Sequence, residues 1–251
     1  MGKVLDDIRF QVQQEQKKLF TLLIDPDDLL DDNHAIDMAK KAEACGVDML
    51  FFGGSLVSSS NAEHFLKLIQ GTTDIPVILF PASPAHLVSG ARAALFLSLI
   101  SGRNPEYLIG HHVTAAPMLK NLGIEPVPTG YLLIGDTIST TAQYISHTLP
   151  IPSAKPDIAV ATAMAGEMLG MQLIYMDAGS GAEKPVSEAM IRQVKAAINV
   201  PLIVGGGIRT AQAVQSGFDA GADIVVVGNA AFENEDLLQE ISHIKKSAEI
   251  R

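Results

Sequence analysis

The chain alternates between short, unbroken apolar runs and longer stretches in which apolar residues recur at helical spacing. The runs are LFTLLID (19–25), DMLFFGG (48–54), PVILF (76–80), AALFLSLI (93–100), YLLIGD (131–136), QLIYMD (172–177), PLIVGGG (201–207) and DIVVVGN (223–229). Hydrophobicity that is continuous rather than alternating marks strands covered on both faces, as parallel strands are. Of the stretches between them, NHAIDMAKKAEACG opens on a candidate N-cap, Asn33, and closes at Gly46, a residue suited to end a helix. SEAMIRQVKAAI offers Ser187 as a cap and aligns Met190, Ile191, Val194 and Ile198 on one stripe. Eight such alternations predict an α/β fold of the (β/α)8 TIM-barrel class. Between the third and fourth runs, PASPAHLVSGAR is short and broken by two prolines, so an irregular connection is expected there instead of a crossover helix. No linker, low-complexity tract or composition change divides residues 1–251, which read as a single domain.

Composition narrows the function. The 251 residues are 47% hydrophobic and 18% charged, enough apolar material for one large barrel core. The net charge of −10 comes with no basic stripe, which argues against a nucleic-acid partner. An anionic ligand therefore has to be met by backbone amides or by a metal ion. The single cysteine, Cys45, has no partner for an internal disulfide and reads as a packed thiol. The first residues, MGKVLDDIRFQVQQEQKK, are too polar for a secretory signal, and Asp6 breaks the myristoylation pattern. No apolar run approaches the roughly 18 residues of a membrane span. A cytoplasmic protein is expected.

In barrels of this class functional groups gather at the C-terminal ends of the strands. Those ends here carry Asp25, Gly53-Gly54-Ser55, Asp136, Asp177 with Gly179-Ser180-Gly181, Gly205-Gly206-Gly207 and Gly228-Asn229. The glycines after the seventh and eighth runs are placed to hold a phosphate monoester with main-chain amides; Arg209 either assists or forms a surface ion pair. Asp25 and Ser55 offer the hard oxygens that Mg²⁺ prefers, and a turn cap accounts for them equally well. Asp27 and Asp28 read as solvated loop acids, His111 and His112 as packed or exposed helix residues. Asp177 is the candidate general base. Tyr175 shares its side of the strand and serves either the site or the core.

With those residues in place, the sequence resembles the geranylgeranylglyceryl phosphate synthases, modified TIM-barrel prenyltransferases of ether-lipid formation. LLIDPD, FFGGS, YMDAGSGA, VGGGIRT and VVVGNA occur in family order along essentially the whole chain, and AGSGA after the acid matches the larger branch. The resemblance implies that Asp25 and Ser55 hold Mg²⁺. It further implies that Tyr175, Met176, Asp177, Ala178, Gly179, Ser180 and Gly181, with Gly206, Gly207, Gly228 and Asn229, bind sn-glycerol 1-phosphate. Many members carry Glu where this chain has Asp177, and some have Thr in place of Ser55. The implied reaction transfers a polyprenyl group, geranylgeranyl by expectation, from its diphosphate to the 3-hydroxyl of the glycerol phosphate. Tyr175 and Asp177 act at the catalytic centre, and FPASPAHLVSGARAALFLSL (80–99) forms part of an apolar groove. A homo-oligomer with peripheral membrane contact for product release is expected. Two other readings use the same phosphate grip: a sugar-phosphate isomerase or cyclase, and a non-catalytic phosphate-binding barrel.

Overall fold

The computed structural model describes residues 3–136, 140–228, 230–234 and 236–249. Eight parallel strands close into a barrel in chain order: β1 (Leu19–Ile24), β2 (Met49–Phe52), β3 (Val77–Leu79), β4 (Ala93–Leu99), β5 (Glu125–Leu133), β6 (Leu173–Asp177), β7 (Leu202–Gly205) and β8 (Ile224–Val227). β8 pairs back onto β1 through Leu19↔Ile224 to Leu22↔Val227, so no edge is left open. The helices are α1 (Val4–Arg9), α2 (Asp32–Ala44), α3 (Ala62–Thr72), α4 (His111–Leu122), α5 (Thr141–Ser146), α6 (Pro156–Met168), α7 (Glu188–Ala197), α8 (Ala211–Asp219), α9 (Ala230–Glu233) and α10 (Leu237–Glu249).

The two-residue alternation of a strand sorts the apolar runs into two cores. Met49, Phe51, Ile78, Leu95, Tyr131, Tyr175, Ile203 and Val226 fill the barrel interior. Phe20, Leu22, Leu50, Leu79, Leu132, Met176, Val204 and Val225 face outward, into the shell between barrel and helices. Val4, Ile8 and Val12 join the interior set, so the N-terminal helix plugs the lower end. Its first free amides are satisfied by one carboxylate: Val4 N–H and Leu5 N–H donate to Glu125 at 2.7 and 3.3 Å.

Two boundaries differ from the sequence expectation. β5 starts at Glu125, not Tyr131, and carries Pro126 and Pro128 in its first half. Pairing with β6 begins only at Thr129↔Leu173, so both prolines lie where that neighbour demands no amide donor. α2 is capped by Asp31, whose side chain accepts from His34 N–H, rather than by Asn33. Ser187 caps α7 as expected, accepting from Met190 N–H. Between β3 and β4 lies only a single 3-10 turn, Pro84–His86, and the groove described below opens beside it.

Candidate active site

Interior parity brings two acids to the rim of the barrel. Asp25 follows Leu23 at the end of β1, and Asp177 follows Tyr175 at the end of β6. They face a polar cup of about 390 Å³ whose wall includes Ser55, Gly179, Ser180, Gly181, Gly206, Gly207 and Gly228, with Tyr175 as part of its floor. Among the described residues Arg209 is the one basic side chain on this wall. Met176 and Ala178 turn away from the cup and are buried in the outer shell; of their groups only the backbone belongs to the rim, and Ala178 N–H donates to Gly205 O at 3.1 Å. Asn229 lies outside the described residues.

Asp177 is 7% exposed. Its Oδ2 accepts from the Tyr131 hydroxyl at 2.6 Å, and its Oδ1 accepts from Gly179 N–H at 2.7 Å. Burial pushes its pKa up, while the two hydrogen bonds pull the other way by favouring the carboxylate. Gly206 matters for the same group. It sits at φ +77°, and a Cβ there would meet Asp177 Oδ1 and the amide nitrogens of Ala178 and Gly179. Only glycine permits this close approach, which leaves Ala178 N–H on Gly205 O and Gly179 N–H on Asp177 Oδ1 undisturbed.

Asp25 accepts from Asp27 N–H at 3.0 Å. Its pKa rises to about 6, chiefly through burial and secondarily through the nearby charges of Asp28 and Asp27. A Cβ on Gly54 would collide with the Asp25 carboxylate, so this glycine cradles the acid. The half-buried Asp25 carboxylate and Ser55 line the same cup and offer hard oxygens of the kind Mg²⁺ takes, with water or phosphate completing the shell. Asp27 is exposed, yet it is not merely solvated: Ser58 and Ser59 donate to its carboxylate.

A second cavity, overwhelmingly apolar, adjoins the cup and shares Gly54, Ser55 and Phe80 with it. Its wall includes Phe80, Pro81, Leu87, Ala94, Phe96 and Leu99 from the 80–99 stretch, Ala115 and Leu119 from α4, and Ile145 from α5. His111 and His112 also line it through packing: His111 stacks edge-on to Tyr107 at 4.8 Å, and His112 lies edge-on to Phe96 at 4.4 Å and pairs with Ser98 Oγ at 3.0 Å. Burial holds the His112 pKa below the usual imidazole value. Phe80, Tyr131 and Tyr175 meet at the junction, with ring centroids 5.3 to 6.3 Å apart. Tyr131 lines the groove, Tyr175 the cup and Phe80 both. Tyr131 was not among the residues selected from sequence. The available signal was register: Tyr131 pairs with Tyr175 across β5 and β6.

A polar cup rimmed by glycines and two acids, adjoining an apolar groove, suits an anion and a hydrocarbon together. Similar proteins have matching identities. One from Chitinophaga pinensis, named geranylgeranylglyceryl phosphate synthase, is 51% identical over 225 residues, covering 90% of this chain and 89% of its own. Another of that name from Thermococcus kodakarensis is 42% identical, covering 92% and 90%. The crystal structure of (S)-3-O-geranylgeranylglyceryl phosphate synthase from Thermoplasma acidophilum, in complex with its substrate sn-glycerol-1-phosphate, superposes with a TM-score of 0.91 at 33% identity, covering 98% of this chain and 100% of that one. A family profile described as the PcrB family matches residues 10–247, and with these relatives it establishes that the chain belongs to that family.

Proposed function

We propose that this protein is a prenyltransferase that joins a polyprenyl group, from its diphosphate, to the 3-hydroxyl of sn-glycerol 1-phosphate, forming an ether-lipid precursor. The observation that carries this reading is the position of the Tyr131–Asp177 pair where the polar cup meets the apolar groove. The glycerol phosphate occupies the cup, its phosphate held by the amides around Gly206, Gly207 and Gly228 and its 3-hydroxyl turned toward Asp177. The prenyl chain lies in the groove with its reactive C1 at the junction.

Asp25 and Ser55 would hold Mg²⁺ at the diphosphate end, where the ion supplies charge neutralisation for the departing diphosphate. Phe80, Tyr131 and Tyr175 present ring faces that stabilise positive charge developing on the allylic carbon. Asp177, whose charged form the hydrogen bonds from Tyr131 and Gly179 favour against burial, accepts the hydroxyl proton as the new C–O bond forms. A sugar-phosphate isomerase has no use for the apolar groove.

A homo-oligomer is supported by α6, whose exposed positions include Ile158, Ala161, Ala165 and Met168, continued by Leu169; a second copy is the partner such an apolar face fits. Among the described residues no helix is long and apolar enough to cross a membrane. Tyr144 and Leu149 stand exposed near the groove and support peripheral contact with a bilayer during product release.

The test is mass spectrometry of products from sn-glycerol 1-phosphate, its sn-3 enantiomer and a ladder of prenyl diphosphates. A prenyl ether formed from the sn-1 compound alone is expected. No ether from any prenyl donor would sink the reading.

A further inference from the structure

Asp27 occupies a position between two loops of the rim. Its backbone N–H donates to Asp25 Oδ1 at 3.0 Å. Its own carboxylate reaches across to the loop between β2 and α3, where Oδ2 accepts from Ser58 N–H at 2.8 Å and Ser58 Oγ at 2.7 Å, and Oδ1 accepts from Ser59 N–H at 2.7 Å. These hydrogen bonds favour the charged form and hold the Asp27 pKa below the usual carboxylate value. Ser55 lies at the start of that loop, immediately after Gly54, which is itself packed against the Asp25 carboxylate. The segment from Ser55 to Ser60 is neither helix nor strand, so its backbone has no ladder of its own to fix it. A further hydrogen bond within it is local, from Asn61 N–H to Ser59 Oγ.

We infer that Asp27 is a positioning residue for the prenyl-diphosphate end of the site: it ties the Ser55 loop to the Asp25 loop and so sets the separation of those two oxygens. The inference rests on the prenyltransferase reading. Asp27 need not touch either substrate to do this. Hydrogen bonds from backbone amides to an ionised acceptor are among the stronger ones in proteins, and three donors converge here from two adjacent residues. The consequence is selective. The loop it pins borders the Asp25–Ser55 side of the cup and the mouth of the groove, while the glycine-rich rim from β6 to β8 is held by other contacts. Losing the clamp should loosen the grip on the prenyl diphosphate and leave glycerol phosphate binding alone.

The experiment uses the full-length protein and the variants Asp27→Ala, Asp27→Asn and Ser58→Ala. Hydrogen exchange at the Ser58 and Ser59 amides is followed beside KM for geranylgeranyl diphosphate, calorimetric binding of sn-glycerol 1-phosphate, and Tm. In Asp27→Ala the two amides should exchange faster and the prenyl KM should rise roughly 10-fold, the scale of lost charge-assisted hydrogen bonds. Glycerol phosphate affinity should stay within about 2-fold, the ordinary reach of a change that removes no contact to that ligand. Asp27→Asn, which keeps one carbonyl acceptor, should recover part of both effects. Ser58→Ala, the mildest change, should move them in the same direction. Unchanged exchange, or an unchanged prenyl KM in an active folded variant, would overturn the inference; so would equal weakening of both substrates with a lower Tm, which marks a purely structural role. If the wild-type protein forms no prenyl ether, the reaction itself has been misread, and the exchange data still decide whether Asp27 pins the loop.

Discussion

The Tyr131 hydroxyl donates to Asp177 Oδ2 at 2.6 Å across the boundary between β5 and β6. This single bond joins a residue of the apolar groove to the acid of the polar cup. It also opposes the burial that pushes the Asp177 pKa up. Tyr131→Phe keeps the ring and its packing on Phe80 and Tyr175 and removes only that bond. The carboxylate then loses a donor that favours its charged form, so its pKa rises further. The acid limb of the kcat profile should move to higher pH, and kcat at neutral pH should fall roughly 10-fold. An unshifted limb in the pH profile would detach Tyr131 from the base.

Removing the proposed base, Asp177, should be harsher on rate and gentler on the fold. Asp177→Asn keeps the shape and one acceptor for Tyr131 or Gly179 but ends proton acceptance. Steady-state kinetics should show kcat lower by roughly 10²–10⁴-fold, the range of a general base, with prenyl-diphosphate binding little changed. Folding should not suffer, because Asp177 is 7% exposed and a buried charge costs more than a buried amide that is hydrogen-bonded. Near-wild-type kcat with an unaltered circular dichroism spectrum would reduce Asp177 to a turn former.

Two glycines separate function from stability. Gly54 has no Cβ to strike the Asp25 carboxylate, and its backbone is outside the positive-φ set, whereas Gly206 combines a positive φ of +77° with a blocked Cβ position. Gly54→Ala should therefore displace Asp25 and abolish metal-dependent transfer, with glycerol phosphate binding intact. Gly206→Ala should lower stability by about 1–3 kcal/mol through backbone strain and also raise KM for glycerol phosphate, because the methyl drives into the Asp177 carboxylate on the wall of the cup. Thermal melts and calorimetry on the pair check both halves. Equal effects of the two substitutions on glycerol phosphate binding would contradict the division of the cup.

Much of this architecture was legible because its signals are local. Strands buried on both faces leave unbroken apolar runs, and acids and glycines at their ends mark the rim. What escaped depends on neighbours distant in sequence. The first half of β5 carries Pro126 and Pro128 and no unbroken apolar run, and their missing amides are harmless because β6 starts opposite Thr129. Tyr131 had no local mark beyond opening an apolar run, since its partner Asp177 lies 46 residues on. Asp27 looked solvated because Ser58 and Ser59 arrive from another loop 31 and 32 residues later. The apolar groove was half visible in the 80–99 stretch; its far wall comes from α4 and α5, which no pattern within that stretch reveals.

The raised pKa of Asp25 makes a prediction about stability that needs no substrate. In the folded, metal-free protein the group titrates at about 6, against 3.8 for an ordinary aspartate, so folding disfavours its charged form. The sign follows. Below the unfolded value of 3.8 both states are protonated and Asp25 costs nothing. As pH rises through the folded value of about 6 the carboxylate must be held charged against burial, and stability relative to a neutral residue is lost. A shift of this size corresponds to about 3 kcal/mol for a fully buried group; Asp25 is only partly buried, and solvent screening reduces the figure to about 1 kcal/mol. Asp25→Asn should therefore raise Tm in chelator at pH 7.5 by about 2–4 °C for a chain of this size, and the advantage should fade as pH is lowered toward 4. Adding Mg²⁺ should raise the wild-type Tm and leave that of Asp25→Asn nearly unmoved, because only the wild type retains the anionic ligand. Melts of the two proteins across pH, with and without Mg²⁺, decide the matter: a variant less stable than wild type in chelator at pH 7.5 would show that Asp25 is not the strained acid described here.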